Sequence, residues 1–113
     1  MSASVTCALV NNDHDLGEIL KTKDRVIALF YASWCPFCVE FLPLFKKYAK
    51  KKGHHFVIVQ DDQESIADQY SVKVYPTVIF FEDGVVSKRL DGVLRVGLDE
   101  KQLVEFVNLC PTP

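Results

Sequence analysis

Phe30-Tyr31-Ala32-Ser33-Trp34-Cys35-Pro36-Phe37-Cys38 carries the chain from an apolar run into a helical pattern, and two cysteines three positions apart mark the junction. Upstream, residues 26–31 show no polar–apolar alternation. A short continuous run with β-branched and aromatic members suits a central strand buried on both faces. Downstream, Phe41, Leu44, Phe45 and Tyr48 recur at helical spacing, so a helix begins within the cysteine motif. On a first helical turn, two sulfurs at this spacing can face each other and close a short disulfide. The free N–H groups and aligned dipoles of the helix end also favour a thiolate there. Strand, CxxC, then helix reads as a redox dithiol.

The totals narrow the field. The chain has 113 residues and a formal charge of -2. That length suits one domain, taken as residues 1–113 with 1–4 and 111–113 loose. The charge gives no reason to expect nucleic acid or an anionic membrane surface as partner. An apolar fraction of 49% is ordinary for a globular fold. The cysteines are Cys7, Cys35, Cys38 and Cys110, too few for a disulfide scaffold at this length. No stretch is long enough to span a bilayer. Met1-Ser2-Ala3-Ser4-Val5 lacks a basic segment followed by an apolar one, so no signal peptide is read and the expected compartment is the cytoplasm.

Taken in order, residues 5–10 suit an edge strand. Asn12 or Asp13 caps a helix running to about Lys21, with Leu16, Ile19 and Leu20 on one face. The helix after the cysteines contains Pro43, which removes a backbone donor and predicts a kink. It ends in lysines, read as a solvated face, with Gly53 as a stop. Residues 56–59 form a second buried strand, residues 63–70 a short helix, and residues 77–81 a third apolar strand. Glu82-Asp83-Gly84 turns the chain back into an antiparallel strand over residues 85–90. Asp99 starts a last helix with Leu103, Phe106 and Val107 inward. The expected class is α/β, a central mixed sheet flanked by helices, in the order β-α-β-α-β-α-β-β-α.

Three segments carry a family resemblance over essentially the whole chain. Residues 30–38 resemble the active-site segment of thioredoxins and of protein disulfide isomerase catalytic domains. Tyr75-Pro76-Thr77 resembles the isomerase-type cis-proline loop, and Phe81-Glu82-Asp83-Gly84 with Gly92 resembles the closing hairpin. The resemblance implies the thioredoxin fold, Cys35 as attacking cysteine and Cys38 as resolving cysteine. It makes Pro76 cis, and it makes Trp34, Pro36, Phe37, Tyr75, Pro76 and Gly92 a substrate groove. Thiol–disulfide exchange agrees with that assignment, since the first cysteine lies closer to the helix N-terminus. Zinc wants four ligands, and no second pair stands at ligand spacing, so no metal is expected. No cofactor is expected either, because the electrons reside in the cysteine pair.

The sequence departs from the family in four places. Pro36-Phe37 is similar to the centre of glutaredoxins, whereas thioredoxins usually have Gly-Pro and isomerases Gly-His. Leu29 stands where thioredoxins carry a buried Asp and isomerases a Glu, six residues before the first cysteine. An ungapped match sets Val57 where thioredoxins have the lysine that pairs with this acid. Arg95 lies near the place of the isomerase arginine that tunes the resolving cysteine, one residue further from Gly92 than usual; a surface arginine is the preferred reading. Cys7 and Cys110 read as minor structural thiols, with a regulatory disulfide as the alternative.

The expected activity is thiol–disulfide oxidoreduction by a monomer, with protein disulfides or dithiols as substrates. A thioredoxin-reductase or glutathione system would supply electrons. Two alternatives stay open: a glutathione-dependent, glutaredoxin-like reductase, and a non-catalytic redox-sensing interaction domain.

Overall fold

The computed structural model describes residues 7–51 and 55–111. The expectations for residues 1–6, Gly53 and residues 112–113 lie outside the described residues. The strands are β1 (Cys7–Val10), β2 (Arg25–Tyr31), β3 (His55–Gln60), β4 (Thr77–Glu82) and β5 (Val85–Asp91). The α-helices are α1 (Asp13–Thr22), α2 (Pro36–Lys51) and α3 (Glu100–Leu109), and a 3-10 helix spans Ala67–Tyr70. The sheet runs β1-β3-β2-β4-β5. β1, β3 and β2 are parallel, whereas β4 runs antiparallel to both its neighbours, β2 and β5. This is the mixed, helix-flanked sheet of the thioredoxin fold, in the order the sequence implied.

β2 is central and has no polar face because both of its faces are covered. Ile27, Leu29 and Tyr31 pack with Phe41 and Phe45 of α2 and with Leu103, Phe106 and Val107 of α3. Val26, Ala28 and Phe30 point the other way, onto Leu16 and Leu20 of α1 and Ala67 of the 3-10 helix. Successive strand residues alternate faces, so a doubly covered strand must be apolar throughout.

The helix ends follow from local chemistry. The Asn12 side chain accepts the Asp15 amide at 2.8 Å and starts α1. Asp99 and Gln102 form a reciprocal capping box at α3, with bonds of 2.9 and 3.0 Å. Helix α2 continues through Pro43. Its lysines Lys46 and Lys47 are exposed, and Lys47 together with Tyr48 reaches Glu100 of α3. No helix among the described residues is long and apolar enough to cross a membrane.

Two expectations change. Only Ala67–Tyr70 of the predicted 63–70 helix is helical. Glu64 sits at φ +60°, outside the right-handed helical region, and Ser71 closes the turn at φ +56°. The Asp61 carboxylate takes the Ile66 and Ala67 amides, so that segment turns around a side chain instead of its own carbonyls. The second change concerns Leu29. The register pairs it with Ile58, and both lie on the α2–α3 face, while Val57 stands opposite Ala28 on the far face. A one-residue slip in a strand moves a side chain to the other side of the sheet. The residue beside Leu29 is therefore Ile58, not Val57, and it too is apolar.

Candidate active site

Cys35 is the residue before the first helical position of α2. Its carbonyl accepts the Val39 amide at 3.1 Å, and its sulfur accepts the Cys38 amide at 3.3 Å. The sulfur thus occupies the place of a helix-capping oxygen. Pro36 at the first helical position has no N–H, so it adds no unsatisfied donor there. On its other side the Cys35 thiol donates to the Tyr75 carbonyl at 3.7 Å. One neighbour donates to the sulfur and the other accepts from it. Both cysteines are thiols in this structure.

Cys38 lies deeper, fully buried where Cys35 is 6% exposed. Burial, followed by the adjacent Cys35 sulfur, pushes its thiol up to about 12. Leu29, Ile58 and Val78 share its apolar cluster. Where the family resemblance puts an acid, the described core offers Cys38 a hydrocarbon wall. Below about 12 the thiolate fraction grows with pH. Release of substrate from a Cys35 mixed disulfide is therefore expected to quicken about tenfold per pH unit between roughly pH 7 and 9. Rapid-quench single-turnover kinetics would read this, and a flat profile would reveal a base that the structure does not account for.

The residues named from the sequence surround this pair. Trp34 is 56% exposed and meets Tyr75 edge-on, with ring centroids 5.9 Å apart. The Tyr75–Pro76 peptide is cis. A side chain at Gly92 would run into the Pro76 carbonyl, so only glycine lets these backbones lie together. The Gly92 amide approaches Thr77 Oγ1 at 3.5 Å. A cleft of about 270 Å³ is lined by Trp34, Cys35, Pro36, Phe37, Tyr75 and Arg95, together with Glu64, Lys73, Val74 and Leu94. Arg95 is exposed in that cleft with Cys35; the influences on Cys38 are burial, Cys35 and the Ala32 backbone. Cys7 and Cys110 lie away from the cleft, and burial raises them to about 11 and about 12. Low thiolate character makes both poor nucleophiles at neutral pH.

Two acids just past β3, between the second buried strand and the helix expected from the sequence, tie the cleft together. Asp62 accepts the Ser33 amide at 2.7 Å and the Ser33 hydroxyl at 2.8 Å, and its carbonyl accepts the Trp34 indole N–H at 2.9 Å. The Ser33 amide, ahead of Gln60 and the Ser33 hydroxyl, holds the Asp62 carboxyl below its usual range. Asp61 is 3% exposed and accepts the Tyr75 hydroxyl at 2.9 Å besides the Ile66 and Ala67 amides. The available signal was their position at the carboxyl end of a parallel strand, beside the end of β2.

The model of the family described as Thioredoxin matches residues 6–108. This chain belongs to the thioredoxin family. It is 37% identical over 87 residues to a thioredoxin of Mycoplasmoides gallisepticum, covering 75% of this chain and 87% of that one. It is 33% identical over 81 residues to protein disulfide-isomerase A5 of Bos taurus, of which it spans only 16%. Among solved structures, the thioredoxin of Fasciola hepatica superposes with a TM-score of 0.79 at 29% identity, covering 92% of this chain and 99% of that one. A thioredoxin-fold chain with a CxxC pair at a helix N-terminus has the arrangement of thiol–disulfide redox chemistry.

Proposed function

We propose that this thioredoxin-family chain is a thiol–disulfide oxidoreductase acting as a monomer on protein disulfides, with Cys35 attacking and Cys38 resolving. The observation that carries the reading is the asymmetry of the pair. Cys35 faces an open cleft with a backbone amide on its sulfur, while Cys38 is sealed behind it with a raised thiol. The Cys35 thiolate attacks one sulfur of a substrate disulfide. A Cys35–substrate bond forms, and the first substrate thiolate leaves and takes a proton. Cys38 then loses its proton and attacks the Cys35 sulfur. The Cys35–Cys38 bond forms and the second substrate thiolate leaves. The substrate gains two electrons and the pair loses two.

Trp34, Tyr75, Pro76 and Gly92 serve as the groove along which the substrate backbone lies, and Arg95 acts on the substrate side. The proposed compartment is the cytoplasm, where such a pair is kept reduced. Titration in a glutathione redox series tests the direction of work. A potential near about -270 mV supports a reductase, and one near about -180 mV would move the reading to an isomerase or oxidase. Turnover with thioredoxin reductase, compared with glutathione plus glutathione reductase, identifies the electron donor. Preference for glutathione would favour the glutaredoxin-like reading suggested by Pro36-Phe37.

A further inference from the structure

Phe37 is a residue of the motif that the exchange chemistry leaves without a task. Its ring has no donor for the thiolate, and it is half-buried on the first turn of α2. The backbone of Gly97 lies against it. A Cβ at Gly97 would come within 2.9 Å of the Phe37 Cβ and 3.2 Å of its ring, and Gly97 sits at φ +80°. Both facts require glycine there.

Gly97 ends a loop closed on itself. The Gly97 amide bonds the Val93 carbonyl at 2.8 Å, the Val96 amide bonds the same carbonyl at 2.9 Å, and the Val93 amide returns to the Gly97 carbonyl at 3.3 Å. Arg95 takes φ +67°, as this tight turn demands. The turn leaves Leu94 70% exposed and puts Leu94 and Arg95 in the wall of the Cys35 cleft, with Trp34, Pro36 and Phe37 itself.

We propose that Phe37 is a positioning residue that acts through the loop of residues 93–97, seating Gly97 so that Leu94 and Arg95 form a wall that selects the polypeptide flanking the substrate disulfide. This rests on the oxidoreductase reading above. The occupant is an extended protein segment with an apolar side chain against Trp34 and Leu94 and a carboxylate toward Lys73 and Arg95. Charge complementarity supports that occupant, because the cleft carries two cations, Lys73 and Arg95, against the one carboxylate of Glu64. A small disulfide that touches only the sulfurs would not meet this wall.

The test compares kcat/KM for a protein disulfide with kcat/KM for a small aromatic disulfide, in wild type, Leu94→Ala, Phe37→Ala and the double variant. The protein-to-small ratio is expected to fall about fivefold or more in each single variant, the size of a lost apolar contact. The double variant should fall no further, since Phe37 acts through the loop, and Phe37→Leu should keep most of the ratio. Leu94 is exposed, so its truncation tests the wall without a folding defect. A ratio within about twofold of wild type in Leu94→Ala, or losses that multiply in the double variant, overturns the inference. Two cystine peptides that differ by Glu or Lys beside the cysteine test the occupant. The Glu peptide should be favoured about threefold or more at low salt, and equal rates would overturn the charge assignment. Failure of the wild type on both disulfides would instead sink the oxidoreductase reading.

Discussion

Cys35→Ser is expected to lower protein-disulfide reduction by on the order of 10³ or more, since the residue that forms the first bond is gone. The helix end, the Cys38 amide and the cleft would all remain, but a serine hydroxyl is not ionised near neutral pH. Cys38 cannot substitute. It is fully buried and its thiol is raised to about 12, so it neither meets substrate nor ionises at neutral pH. Cys38→Ser has the opposite signature: attack proceeds, resolution does not, and substrate stays covalently attached through Cys35. Non-reducing electrophoresis and intact mass would show that adduct in Cys38→Ser and none in Cys35→Ser. Undiminished turnover in Cys35→Ser would remove the proposed mechanism, and adducts in both variants would reassign the nucleophile.

Asp61→Ala should produce the largest loss of stability among single changes near the cleft. The carboxylate is buried, and it takes the Ile66 amide at 3.0 Å, the Ala67 amide at 2.7 Å and the Tyr75 hydroxyl at 2.9 Å. Truncation strands two buried amides, while the Tyr75 hydroxyl keeps the Asp61 backbone carbonyl at 3.4 Å. At about 1–3 kcal/mol for each stranded amide, the loss sums to roughly 2–6 kcal/mol. A domain of this size has about 5–15 kcal/mol in total. Its melting temperature should fall by on the order of 10–20 °C. Because Tyr75 also carries the carbonyl that meets the Cys35 thiol, reactivity of Cys35 should change alongside. Asp61→Asn keeps an acceptor for the amides and should lose about half as much. A melting point within about 2 °C of wild type for Asp61→Ala would show that the carboxylate does not hold this segment.

The sequence and the structure agree most closely where the physics is local. Asn12 and Asp99 cap helices because a short polar side chain reaches an amide two or three residues on. The order of strands and helices was legible because the apolar runs and helical patterns are bounded by turn residues. The predicted helix over residues 63–70 went further than the structure because its amides are taken by Asp61, and a side chain competing for backbone groups leaves no periodic trace. Val57 was misassigned for a different reason. Its identity was plain, but its face depends on a register to β2 that a linear match cannot hold to within one residue.

By itself the sequence determined the thioredoxin fold, the dithiol at a helix start, and the loss of the buried acid at Leu29. These are matters of residue type and short spacing, where covalent geometry and helix periodicity leave little freedom. The tertiary structure decided what surrounds the dithiol. It set Ile58 beside Leu29, tied Asp61 to Tyr75 and Asp62 to Trp34, and laid Gly97 on Phe37. Each of these joins residues 14 to 60 positions apart. Such contacts arise only when the strands pair and bring distant segments of the chain together, so no local pattern could announce them.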